Sequence, residues 1–155
     1  MRISTSAGPA RAELDAAEDP PFLLVLTHGA GGGTDSADLL AARQAGLDLG
    51  AAVARVVQPY RVRGARAPGS AARQDEAWLE ITRKLRRRFP GVPLVQGGRS
   101  NGARVACRTA RAPATRSGSP RWALASGWWS CRARRTRWRA RVARSAAWSA
   151  PGSKC

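Results

Sequence analysis

Histidine and late acidic residues are what this chain has least of. Among its 155 residues there is one histidine, His28, and none of the ten Asp and Glu residues falls after Glu80. Chemistry that needs an acid and a histidine downstream of a nucleophile has neither. Cysteine is scarce as well. Cys107, Cys131 and Cys155 are odd in number and widely spaced, which excludes a disulfide framework and fits no zinc pattern. Cys107 reads as a small packed residue, because no activating base stands beside it in the sequence. There is no run of about 18 apolar residues to span a membrane, and no basic-then-apolar N-terminal signal, so a cytoplasmic location is expected. The phosphate-binding patterns are missing too. The glycine-rich stretch after Thr27 lacks the Gly-Lys-Ser/Thr ending of a P-loop, and no G-x-G-x-x-G is followed by an acid at ribose distance. Nothing in the pattern calls for a cofactor or a metal.

What is present centres on Gly98-Arg99-Ser100-Asn101-Gly102, which lies between an apolar run, Val92 to Val95, and a helix-like stretch, Ala103 to Ala110. In a strand-turn-helix reading Ser100 occupies a sharp turn with strained backbone angles. Gly98 and Gly102 are required because side chains at those two points would collide. Alone the motif is weak, but a second unit accompanies it. Phe22 to Thr27 is a buried-strand pattern running straight into His28-Gly29-Ala30-Gly31-Gly32-Gly33. A glycine-rich loop beside a nucleophile elbow is how serine hydrolases hold an acyl-transfer oxyanion. One N–H comes from the loop, here Ala30 or a neighbouring glycine such as Gly29 or Gly31, and one from the residue after the nucleophile, here Asn101. His28 is expected to position that loop rather than to carry protons.

The segments THGAGGG, VVQPYRVRGARAP and QGGRSNGARVACRTA, in that order, resemble a bacterial α/β-hydrolase family. It is related to dienelactone-hydrolase-like enzymes, to testis-expressed hydrolase-like proteins and to a regulatory subunit of the non-specific-lethal chromatin complex. The resemblance covers roughly Met1 to Ala110. It implies a hydrolase fold, with Ser100 in the nucleophile position, the His28 loop beside it and a small-molecule acyl substrate. It also implies a triad in the chain order nucleophile, Asp or Glu, then His. The last two members are absent here, and an unassisted serine hydroxyl is a weak nucleophile. Low activity is therefore expected of the chain as it stands.

Charge divides the sequence in two. Residues 1–110 hold 16 Lys and Arg against 10 Asp and Glu, whereas residues 111–155 hold 11 Lys and Arg, no acid, and five of the six tryptophans. The second part is built mostly from Arg, Ala, Ser, Trp, Pro, Gly and Thr and lacks Ile, Phe, Tyr, Met, Asn and Gln. That selection follows GC-rich codons and not the needs of a core. Trp128-Trp129 can only come from TGGTGG, which contains GGT one base on and GTG two bases on. A shifted reading frame beginning near Arg111 to Pro113 is the leading explanation, and a genuine solvated basic tail is the other. As a genuine tail, Arg132 to Arg144 with Trp138 could neutralise phosphates and stack on bases, giving a nucleic-acid or anionic-surface binder.

The remaining pattern predicts a truncated α/β domain at 1–110, with a small, mainly parallel sheet, and an irregular basic tail at 111–155. Two short N-terminal strands are expected at Arg2 to Thr5 and Ala10 to Leu14. A helix is expected from Ala37 to Leu47 behind the capping candidates Thr34, Asp35 and Ser36, and it stops at Gly50. A buried strand is expected at Ala52 to Val57, then a loop at Gln58 to Gly69. A second helix runs from Ser70 to Phe89, with Trp78, Ile81, Leu85 and Phe89 on one side. The basic run Arg83 to Arg88 complements the end of that helix, where Glu80 can pair with Lys84, more readily than it contacts nucleic acid. Arg61, Arg63 and Arg66 follow a strand's carboxyl end and line either a solvated loop or a site for an anionic substrate. The strand order expected is Phe22 to Thr27 between Ala52 to Val57 and Val92 to Val95. Oligomeric state is left open.

Overall fold

The structure, a computed structural model, describes residues 1–110. The expectations for the basic tail lie outside the described residues. The elements follow the chain as β1 (Arg2–Thr5), β2 (Gly8–Asp15), β3 (Leu23–Thr27), α1 (Ala37–Asp48), β4 (Ala52–Val57), α2 (Pro59–Val62), α3 (Ala71–Arg88), β5 (Leu94–Gly98) and α4 (Asn101–Ala110). One five-stranded sheet has the order β1-β2-β4-β3-β5. β4, β3 and β5 are parallel neighbours, with β3 in the middle as expected, while the N-terminal hairpin adds β2 antiparallel to β4 and β1 antiparallel to β2. The sheet is therefore mixed, and its parallel part is the part that carries the site.

Alternation along the strands sorts side chains to two faces. Leu23, Val25, Ala52, Ala54 and Val56 pack with Trp78, Ile81 and Leu85 of α3 and Val105 of α4. Leu24, Leu26 and Val53 meet Leu39 and Leu47 of α1 on the other face. Two layers of helix thus cover the parallel strands, which explains their nearly continuous apolar sequence. α1 lies close to the sheet at Gly46, where a Cβ would come 2.9 Å from Leu24 Cδ2 and 3.0 Å from Val53 Cγ2. α3 starts at Ser70, whose hydroxyl accepts from the Arg73 N–H, and ends with Arg86, Arg87 and Arg88 in its last turn.

Several local expectations are corrected. β5 is Leu94–Gly98 rather than Val92 to Val95, because its register with Leu23–Thr27 is fixed by the parallel ladder and not by apolar content. Gln96 is tolerated there since its Oε1 accepts from Trp78 Nε1 at 2.6 Å. The Gln58 to Gly69 stretch contains α2, with Pro59 in its first turn. Glu80 and Lys84 turn to the N-terminal hairpin instead of pairing with each other. Glu80 accepts from the Ser6 N–H at 2.9 Å, and Lys84 donates to the Ser4 carbonyl. Cys107 is exposed on α4, not packed. Ser36 is the N-cap of α1 by position, but its side chain makes no capping bond.

Candidate functional site

The carboxyl ends of β3 and β5 lie side by side, Thr27 opposite Gly98, so the His28 and Arg99 turns leave the sheet together. The Arg99 N–H donates to the Thr27 carbonyl at 3.0 Å, which ties the second turn to the end of the first strand. Both flanking glycines are sterically required. A Cβ on Gly98 would stand 2.6 Å from Thr27 O and 2.8 Å from the Gly102 carbonyl carbon, and one on Gly102 would stand 2.6 Å from the carbonyl oxygens of both Thr27 and His28. Between them Ser100 has φ +51°, a left-handed conformation that is costly for a residue with a Cβ. The spacing G-x-S-x-G thus reflects α4 leaving β5 with almost no room between its backbone and β3.

The glycine-rich loop runs beside this turn. A Cβ on Gly29 would lie 3.5 Å from Ser100 Cβ and from Arg99 O, ordinary van der Waals contact. Asn101 opens α4, where a first-turn N–H has no intrahelical acceptor, and its side-chain Nδ2 is buried without a partner among the described residues. Ala30 and Gly31 donate their N–H groups to no backbone acceptor among the described residues, whereas Gly32 N–H closes a turn on Gly29 O at 3.2 Å. The turn residues Gly98, Ser100, Asn101 and Gly102 thus stand beside His28 and Gly29 at the start of the loop, and Ala30 and Gly31 follow in the chain.

His28 is fully buried and both ring nitrogens are engaged. Its Nε2 lies 3.1 Å from the Gln58 backbone N–H, which can only donate, so Nε2 is the acceptor. The ring proton is then assigned to Nδ1, which donates to Gly29 O at 2.7 Å. Burial lowers the imidazole pKa below its ordinary 6.5, the Gly29 carbonyl opposes that shift, and the Arg61 charge adds to it. A neutral ring with no free nitrogen fixes the loop and leaves nothing to take a proton from Ser100.

Three further polar residues were not marked by the sequence. Gln58 Nε2 donates to Thr27 Oγ1 at 3.1 Å, Gln74 Nε2 donates to Gln58 Oε1 at 2.7 Å, and Thr27 Oγ1 donates to Val56 O at 2.9 Å. Tyr60, 4 % exposed, places its hydroxyl 3.1 Å from Ala30 O. The available signal was position: Gln74 sits four and seven residues before the core residues Trp78 and Ile81, on a face where a polar group needs a buried partner. Of the arginines, Arg61 donates to Ala65 O at 3.5 Å and Arg63 to Ala7 O, both exposed contacts with backbone. Arg99 pairs with Asp38 of α1 at 3.1 Å, a half-exposed bridge that stabilises little. No group of three or more potential metal ligands exists among the described residues, and none of their helices is long and apolar enough to cross a membrane.

A pH dependence follows from His28. In the unfolded chain the ring takes up a proton below its ordinary 6.5, whereas the folded ring resists it, so the unfolded state binds more protons as pH falls. The stability His28 contributes is complete above pH 6.5 and is lost as pH falls toward the lowered folded value. The limiting slope for one proton is about 1.4 kcal/mol per pH unit. Urea unfolding between pH 7 and pH 5, above the carboxylate range, should show this decline in the wild type and a flat profile in His28→Asn. Equal slopes in the two proteins would show that the ring is not held neutral.

The sequence profile of the family described as "Alpha/beta hydrolase domain" matches residues 20–125. Among solved structures, a serine hydrolase without a lid from Xanthomonas campestris superposes with a TM-score of 0.64 at 22 % identity, covering 72 % of this chain and 55 % of its own. An α/β serine hydrolase homologue from Coxiella burnetii gives 0.63 at 14 % identity, with 71 % and 55 % covered. Est1E from Butyrivibrio proteoclasticus, bound to ferulic acid, gives 0.60 at 17 % identity, with 71 % and 46 % covered. The chain spans about half the length of these structures. No curated protein matches it.

Proposed function

Because this chain belongs to the alpha/beta hydrolase domain family, we propose that its intact form cleaves an ester or similar acyl bond of a small molecule through Ser100. Residues 1–110 would be the partial hydrolase domain, of the dienelactone-hydrolase-like type, working in the cytoplasm. Residues 111–155 would be the product of a shifted reading frame. The observation that carries the proposal is Ser100 at φ +51°, held between two glycines that admit no side chain and beside Gly29, where an added Cβ would lie 3.5 Å from Ser100 Cβ. In this reading Ser100 Oγ attacks the acyl carbon, and its proton passes to a general base. The carbonyl oxygen becomes an oxyanion held by the N–H groups of Ala30 and Asn101, and the alkoxide leaving group departs with a proton. Water then attacks the acyl-serine, releasing the acid and restoring the hydroxyl.

Among the described residues no hydrogen bond joins the Ser100 hydroxyl to a base for the first transfer. His28 is the single histidine, and both of its nitrogens are committed. Enzymes stripped of triad members retain about 10³ to 10⁴ over water from oxyanion stabilisation and binding alone. For the present chain we expect p-nitrophenyl ester turnover close to background, scarcely changed by Ser100→Ala, together with slow labelling of Ser100 by a fluorophosphonate. Labelling absent in the wild type, or undiminished in Ser100→Ala, would remove Ser100 from the nucleophile position.

A further inference from the structure

Tyr60 belongs to α2, outside both the elbow and the glycine-rich loop, yet its hydroxyl bonds into that loop. It lies 3.1 Å from Ala30 O and 3.5 Å from Gly29 O. The phenol carries one proton, so Ala30 O, the nearer, is its acceptor. The next carbonyl back, Gly29 O, is taken by His28 Nδ1–H at 2.7 Å. Two successive peptide carbonyls are thus each held by a ring donor, and the two rings pack against each other at 5.7 Å between centroids.

The consequence comes from the planarity of the peptide bond. In a trans peptide the N–H points opposite to the C=O of the preceding residue. Holding Gly29 O toward His28 turns the Ala30 N–H the other way, and holding Ala30 O toward Tyr60 does the same to the Gly31 N–H. Neither of these two N–H groups is taken by a backbone acceptor among the described residues. A loop with glycine at four of its five positions from Gly29 to Gly33 has no steric preference of its own to choose this orientation. The Gly32 N–H turn on Gly29 O helps to hold the first carbonyl, and the side chains that hold the two carbonyls are His28 and, from outside the loop, Tyr60.

We infer that Tyr60 is a positioning residue of the loop, its hydroxyl fixing the Ala30–Gly31 peptide so that the Gly31 N–H is presented as a donor beside the one from Ala30. Its own placement is set by the neighbouring Gln58-Pro59 step. Pro59 starts α2, and the Gln58 N–H is bonded to His28 Nε2. One four-residue helix therefore controls both donors that hold the loop. Burial raises the phenol pKa and the charge of Arg61 opposes that, so the hydroxyl stays a donor through the neutral range.

The inference rests on the hydrolase reading only for its catalytic meaning, and the test separates the two. Tyr60→Phe keeps the ring and removes the hydroxyl. In the full chain labelled with ¹³C and ¹⁵N, the Ala30 carbonyl and Gly31 amide resonances should shift and the Gly31 amide should exchange faster. The His28 ring should keep its Nδ1–H tautomer. Fluorophosphonate labelling of Ser100 should slow by about fivefold to tenfold, the scale of one oriented hydrogen bond. Tyr60→Leu, which also empties the ring's place, should destabilise the fold as well. Unchanged Ala30 and Gly31 resonances in Tyr60→Phe would overturn the inference, as would labelling at the wild-type rate. If the wild type does not label at all, the hydrolase reading fails, and the resonances alone decide whether Tyr60 sets the loop.

Discussion

Gly102→Ala is expected to destabilise the domain by about 1 to 2 kcal/mol, or to prevent folding where the backbone cannot give. A methyl group there would stand 2.6 Å from the carbonyl oxygens of Thr27 and His28 and 2.9 Å from Thr27 Cγ2. The oxygens are backbone atoms at the end of β3 and of the residue after it, and they cannot swing aside as a flexible side chain could. Overpacking against rigid neighbours costs about 1 to 3 kcal/mol, occasionally more. The better helix propensity of Ala over Gly returns up to about 1 kcal/mol in the first turn of α4, too little to offset the clash. Gly32→Ala, where an added Cβ meets nothing within 4 Å, should change stability little and serves as the control. Urea midpoints measured on both variants check this. A Gly102→Ala protein as stable as the Gly32→Ala control would mean that α4 does not press against β3 as described.

Restoring the alternative frame downstream of Ala110 is expected to raise Ser100-dependent ester turnover by about 100-fold or more, the contribution of a general base. The codons permit a check on this idea before any enzyme is made. Gly127-Trp128-Trp129-Ser130-Cys131 is written GGN-TGG-TGG, then a serine codon, then TGY. Read two bases on, it gives Leu, Met or Val, then Val, then Val or Glu, then again Leu, Met or Val. That is the pattern of a buried strand. Read one base on, it gives a glycine pair instead. Among the described residues β5 ends the sheet order and pairs with β3 alone, so a further parallel strand beside it has a ladder to join. Sequencing the gene across the codons for Ala110 to Pro113, and assaying the two-base-shifted product with and without Ser100→Ala, tests both parts. A shifted frame that stops early, or a product carrying a downstream Asp and His but showing no Ser100-dependent turnover, would sink the frame-shift account.

Much of the architecture was legible because the strands are short apolar runs closed by Gly, Pro and His, and because α3 carries Trp78, Ile81 and Leu85 at helical spacing. β5 was misplaced for a physical reason. Gln96, Gly97 and Gly98 look like loop, and they are strand only because Leu23–Thr27 offers them a complete hydrogen-bond ladder. α2 was missed since four residues give no period to read. The same distinction applies at the site. Gly98, Ser100 and Gly102 were legible because a steric requirement leaves a fixed spacing in the chain. Gln58, Tyr60 and Gln74 were not, because a hydrogen-bond partner found 16 to 31 residues away leaves no such spacing.

By itself, then, the sequence determined the order of elements apart from α2, the G-x-S-x-G spacing, the glycine-rich loop, and the want of any acid or histidine after Ser100. These are properties of local pattern and composition. Only the tertiary structure showed which partners hold the His28 ring, Gly29 O at Nδ1 and the Gln58 N–H at Nε2, and brought Tyr60 and Gln58 to the loop. The role of a polar group is set by which donors and acceptors reach it once water is excluded, and burial and the partners across β3, β4 and α3 exist only in the folded chain.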